Sequence, residues 1–294
     1  MAIDKLCRGG RATIPVALAL ALALAGVAAP DVARAQVPAT AAAAGEPQLT
    51  FADLARLVET APTIAVVAIS DQATVEPERS PGLAAGDVRL YLEAQTEALL
   101  TGRSPVGESL VFLADRPLDP KGKAPKLKKQ RFIVFADTVP SRPGQLQLID
   151  PKAMMPADPL LTERLRSVIA AFAAPELPPL VTGVRDVISV PGNLTGESET
   201  QMFVETASGA PVSLSVIRRP AMEPSWGVSW GEIVDASARP PAPESVEWYR
   251  LACSLPAELP QDAYLQQEGP SRQQALEDYR YILQQLGPCE RRRN

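Results

Sequence analysis

Polar and apolar residues alternate without a break over residues 87–94, with Val88, Leu90, Leu92 and Ala94 on one face and Arg89, Tyr91 and Glu93 on the other. A period of two is what a half-buried strand requires. Residues 63–70 are rich in β-branched side chains, and 109–114, 131–136 and 145–149 are compact apolar runs. Pro81-Gly82, Gly102 and the proline-bearing stretches 117–120 and 140–144 punctuate them as turns. A short helix precedes this set: Phe51, Leu54, Leu57 and Val58 recur at helical spacing behind a Thr50/Asp53 capping box. A second helix over 159–173 closes it. The spacing predicts a barrel-like or curled antiparallel sheet spanning 49–174, and an oligonucleotide/oligosaccharide-binding-like barrel is the expected shape.

Residues 174–179 are proline-rich and mark a boundary. Beyond it, 183–190, 200–206, 212–217 and 226–234 read as strands, with a hairpin turn at Ser208-Gly209. The tail turns helical. Residues 244–254 carry Val246, Trp248, Tyr249, Leu251 and Ala252, and Leu276, Tyr279, Ile282, Leu283 and Leu286 form an apolar stripe. Ser271 and Gln274 suggest a capping box for that last helix, and Gly287 followed by Pro288 ends it. The second module therefore spans 175–294, and the expected class is α+β and β-rich.

The first 35 residues read as an export signal. Lys5, Arg8 and Arg11 precede an uninterrupted small-apolar run over 14–29, and Ala33-Arg34-Ala35 offers the small-x-small cleavage pattern, so cleavage is expected after Ala35. The apolar run falls short of the roughly 20 residues that span a bilayer as a helix. Residues 36–48, rich in Ala, Pro and Thr, read as a disordered lead-in. Cleavage removes four cations and two carboxylates, shifting the formal charge from −5 to −7. An acidic balance argues against nucleic-acid partners. Of the three cysteines, Cys253 and Cys289 remain after cleavage, and in an oxidising compartment an isolated pair is most simply a disulfide. The bridge would staple the two tail helices together.

The chain contains no histidine. Gly227-Val228-Ser229-Trp230-Gly231 matches the pattern of a nucleophile elbow, but Ser229 lacks its usual base, and Trp226, Val228 and Trp230 alternate as a strand does. Neither C-x-x-C spacing nor a histidine supports a metal site, so no residue is nominated as catalytic or as a metal ligand and no cofactor is implied. Two clusters remain. Lys121, Lys123, Lys126, Lys128 and Lys129, with Arg131 adjoining, form a basic loop between two strands that is a candidate polyanion-binding surface or a solvated, aggregation-resistant turn. Glu197, Glu199 and Glu205 share parity on an extended segment, which would allow a carboxylate-dependent hydrolase acting on envelope glycans.

Pro191-Gly192-Asn193-Leu194-Thr195-Gly196-Glu197-Ser198-Glu199-Thr200, Ser215-Val216-Ile217-Arg218-Arg219-Pro220, Glu247-Trp248-Tyr249-Arg250-Leu251-Ala252-Cys253 and the basic Pro125-Lys126-Leu127-Lys128-Lys129-Gln130-Arg131 together resemble an uncharacterised family of exported alphaproteobacterial proteins. The resemblance implies a periplasmic or envelope location and carries no activity. The expectation is thus a periplasmic or secreted, non-catalytic binding protein. Its expected partner is an anionic envelope component or another envelope protein, with no nucleic acid and no membrane span after cleavage.

Overall fold

The computed structural model describes residues 48–232, 237–266 and 269–293. The expected signal and all of the lead-in except Gln48 lie outside the described residues. Helix α1 (Phe51–Thr60) opens with the predicted capping box: the Asp53 amide donates to Thr50 Oγ1 at 3.1 Å and the Thr50 amide donates to Asp53 at 2.9 Å. There follow β1 (Thr63–Thr74), β2 (Asp87–Gly102), β3 (Ser109–Pro117), β4 (Arg131–Thr138), β5 (Leu146–Leu148) and β6 (Met154–Pro156). They form an antiparallel sheet in the order β3-β2-β1-β4-β5, with β6 also paired to β4. Val88, Leu90, Leu92 and Ala94 of β2 all point into the core, as the alternation required.

Three register shifts between β1 and β2 curl this sheet. Its outer edges meet at one isolated parallel bridge, Val111 to Gln145, and the Asp115 amide donates to the Pro151 carbonyl at 2.7 Å. A three-residue β5 cannot extend that bridge into a ladder. Of the two expected forms, barrel-like or curled, the sheet takes the curled one and does not close. Strand β6 escaped the sequence pattern because Met154-Met155-Pro156 has no alternation, and pairing with Phe132–Val134 alone makes it a strand.

Helix α2 (Pro159–Phe172) is capped by Asp158, whose carboxylate accepts from the Leu161 amide at 2.9 Å. Leu165 and Val168 of α2, with Leu54 and Leu57 of α1, join Phe112, Phe132 and Phe135 in the first core.

The second sheet comprises β7 (Val181–Pro191), β8 (Ser198–Thr206), β9 (Val212–Arg218) and β10 (Ser225–Ser229), an antiparallel meander with the predicted turn at Gly209. Strand β10 ends at Ser229, short of the expected 234; residues 233–236 lie outside the described residues. Helix α3 (Val246–Ala252) follows, and α4 (Pro270–Leu286) covers one face of this sheet with Ala275, Tyr279 and Ile282. The Ser271/Gln274 capping box does not form. Pro270 fixes the first helical φ, Gly269 is the N-cap without a side-chain bond, and Ser271 is already inside the helix. No helix among the described residues is long and apolar enough to cross a membrane.

Both cores meet at α3. Tyr249 packs into the first and Leu251 into the second. Arg250 between them is 4 % exposed, pairs with Glu59 at the end of α1, donates to the Pro178 carbonyl at 3.2 Å and stacks on Phe172. The Tyr249 hydroxyl donates to the same Glu59 carboxylate at 3.1 Å.

Candidate functional site

The basic loop, residues 118–130, leaves the end of β3 and enters the start of β4. It is pinned from within. Leu127 is buried in the first core, its amide donates to Gln72 at 2.6 Å, and the Gln72 side chain donates back to the Pro125 carbonyl at 2.8 Å. Asp119 accepts the amides of Lys121 and Lys123 at 2.8 Å each. Lys129 takes a left-handed φ of 70°, which lets its amide reach the Ile69 carbonyl at 2.8 Å. The six basic side chains divide. Lys128 pairs with Asp71 at 3.1 Å and holds that carboxyl below its usual range by hydrogen bonding, while Arg131 pairs with Glu97 at 2.5 Å. Lys121, Lys123, Lys126 and Lys129 are exposed, and among the described residues their ammonium groups meet no carboxylate.

Cys253, the C-cap of α3, and Cys289, just beyond α4, form the expected disulfide. It fixes the root of a C-terminal strap. Glu290 accepts a 2.7 Å hydrogen bond from the Thr50 hydroxyl, and the Arg292 and Arg293 amides each donate to Asp53 at 3.1 Å. The carboxylate that caps α1 thus also holds the chain's last described residues.

The acidic cluster does not converge. Glu197 Oε2 accepts the Asn193 and Leu194 amides at 3.0 and 3.2 Å and so folds its own loop. Glu199 and Glu205 are exposed on the outer face of β8. Six residues of strand separate them by about 20 Å, whereas a glycosidase carboxylate pair needs roughly 5–9.5 Å. Ser229 is buried at the end of β10 opposite Ser213 and sits on no strand-to-helix turn. Gly227 has a different reason to be glycine. A Cβ there would come within 2.2 Å of the Ala238 backbone, where the returning chain crosses β10 and the Val228 amide reaches the Arg239 carbonyl at 3.3 Å.

The sequence reading missed a groove of about 660 Å³ beside the loop. Leu49, Pro117, Met154, Met155, Pro156, Leu160 and Leu161 make it largely apolar. Five cations, Arg116, Lys152, Arg164, Arg292 and Arg293, rim it against three carboxylates. Each carboxylate is engaged. Asp115 grips Arg89 through two bonds of 2.7 and 2.8 Å, Asp87 pairs with Lys152 at 2.7 Å, and Asp158 caps α2. Among the cations, Arg293 pairs with Asp150 at 2.5 Å, and Arg116 donates to the Met154 carbonyl at 3.0 Å while lying 5.9 Å from the Phe132 ring centroid. Arg164 and Arg292 differ: they donate to the adjacent backbone carbonyls of Leu49 and Gln48, at 3.1 and 3.2 Å. One sequence signal pointed here, the basic run Arg291-Arg292-Arg293. Its partner Arg164 is 128 residues away and carried no signal.

Comparison with family models finds none that matches this chain, and comparison with curated proteins finds no significant match. The geometry therefore carries the functional argument by itself.

Proposed function

We propose that this chain is an exported, periplasmic or secreted, non-catalytic binding protein that engages an anionic component of the cell envelope. The supporting observation is the set of four exposed ammonium groups, Lys121, Lys123, Lys126 and Lys129, on a loop anchored by Leu127 and Gln72, in a chain of net charge −5. An anchored loop presents its charges without a large ordering cost on binding. The strand directions put the groove's cations at the same end of the sheet, because β3 ends and β4 begins beside β6. A local positive field on an acidic protein attracts polyanions and keeps the rest of the surface away from them. The export signal read in the sequence would bring this end of the molecule to the envelope.

Retention on vesicles containing anionic phospholipid should fall steeply with salt. Replacing Lys121, Lys123, Lys126 and Lys129 together by Gln should abolish it, while Lys128→Gln, which removes an already paired charge, should leave most of it. Unchanged retention of the fourfold variant would overturn the reading.

A further inference from the structure

The groove differs chemically from the loop. The loop offers ammonium groups on an open surface and no apolar floor. The groove offers a concave apolar surface of about 660 Å³, within the range of small-molecule sites, with the guanidinium-bearing Arg164 and Arg292 both in its lining. Arg164 and Arg292 arrive from distant parts of the chain, α2 and the disulfide-rooted strap, and are held on successive carbonyls. Neither guanidinium meets a carboxylate among the described residues. A planar guanidinium whose bonded partner is one neutral carbonyl retains donors and its full charge for an incoming anion. In the same lining, Leu160 in the first turn of α2 is 62 % exposed, and β6 contributes Met154 and Met155. Asp115 and Asp87 are paired with Arg89 and Lys152 and Asp158 caps α2, and the five cations of the lining outnumber its three carboxylates.

We propose that this groove binds a single-chain amphiphile bearing a carboxylate or phosphate head group, with the head between Arg164 and Arg292 and the acyl chain along Met154, Met155, Leu160 and Leu161. The proposal deepens the reading of this end of the molecule as the receiver of an anionic envelope component, and names the chemistry of one ligand. Charge complementarity selects the head and the apolar floor selects the tail. The Cys253–Cys289 bridge roots the strap that carries one half of the clamp, so an intact disulfide belongs to the site.

The test is displacement of fluorescent cis-parinaric acid from the oxidised protein by palmitate, hexadecyl phosphate, hexadecanol and acetate. Palmitate or hexadecyl phosphate should displace it, and the tighter of the two identifies the head group. Hexadecanol, lacking the charge, should bind at least about tenfold more weakly, and acetate not at all. Arg164→Gln combined with Arg292→Gln should cost about tenfold or more in palmitate affinity and leave hexadecanol unchanged. Leu160→Asp, at an exposed position that the fold does not need, should abolish palmitate binding. Hexadecanol binding as tightly as palmitate, or palmitate binding indifferent to Leu160→Asp, overturns the proposal. So does a dimer in sedimentation that Leu160→Asp dissolves in the absence of any palmitate binding. The fourfold lysine variant should keep its palmitate affinity. Vesicle retention without palmitate displacement in the unaltered protein would overturn this inference alone, and palmitate displacement with retention untouched by the fourfold variant would overturn the loop reading alone.

Discussion

The two sheets of this protein bury different chemistry. The first buries aliphatic and aromatic residues: Leu90, Leu92, Phe112, Phe132 and Phe135 share one core with apolar residues of α1 and α2. The inward face of the second carries hydroxyls among its apolar residues, with Ser189, Ser198, Thr200 and Thr206 all buried. Opposite them, α4 presents Asp278 at 0 % exposure. Its carboxylate accepts from the Thr200 hydroxyl, from Arg218 Nε at 2.6 Å and from Gln274 at 3.1 Å, and Ser189 extends the chain to Thr200 at 2.8 Å. An apolar core is held by non-directional burial and tolerates small repacking. A buried carboxylate with three directed partners allows one seating of helix on sheet and penalises every other. The first sheet is thus joined to its helices by area, and the second by a specific seam as well.

The largest expected effect breaks that seam. Asp278→Ala should cost about 3–5 kcal/mol, because it strands Arg218 and Thr200. Ile133→Val, at an equally buried site of the first sheet, should cost only about 1 kcal/mol. Urea midpoints compare the two, and a cost for Asp278→Ala no larger than that for Ile133→Val would mean the seam contributes nothing specific.

The disulfide comes next. Cys253 and Cys289 both pack against the first core although they flank a helix of the second, at a sequence separation of 36. Reducing the bridge, or replacing both cysteines by Ala, should cost about 3–4 kcal/mol by loop-closure entropy. Hydrogen exchange should show the loss first in the strap and at the N-terminus of α1, which Asp53 joins. Protection lost uniformly across both sheets would contradict that assignment.

A smaller effect appears at alkaline pH, with one tyrosine in each core. Burial pushes the Tyr249 hydroxyl up to about 12, with the Glu59 charge adding to it, and burial also pushes Tyr279 up. A raised folded-state value means that the native protein keeps a proton the unfolded chain releases above pH ~10. Stability from these groups is therefore full below pH ~10 and is lost as pH rises through about 12 for Tyr249. Tyr249→Phe and Tyr279→Phe should each flatten the alkaline limb of the stability curve. A limb unaltered by either would show that the hydroxyls do not govern it.

Much of the architecture was legible. Helix α1, the inward face of β2, the Gly209 turn and the Cys253–Cys289 pair follow from periodicity, capping chemistry and cysteine count. These are local signals, and short-range sterics and hydrogen bonding enforce them wherever the chain goes. Asp278 was invisible in an apolar stripe, because a carboxylate on a helix reads as a solvent-facing residue until Thr200 and Arg218 arrive from other strands. The loop's basic residues were conspicuous as a run, yet their division into paired and unpaired depended on Asp71 of β1, which takes Lys128, and Glu97 of β2, which takes Arg131.

The sequence alone determined most of the strands and helices and which of their faces turn inward, since each of these is decided within a few residues of chain, and its cysteine count named the pair that bridges. The tertiary structure alone decided that the curled sheet stays open, that Arg164 and Arg292 line one groove and bond to the carbonyls of adjacent residues, and that Glu199 and Glu205 stay apart. Those outcomes depend on distances between residues far apart in the chain. Packing sets such distances, and no local pattern encodes them.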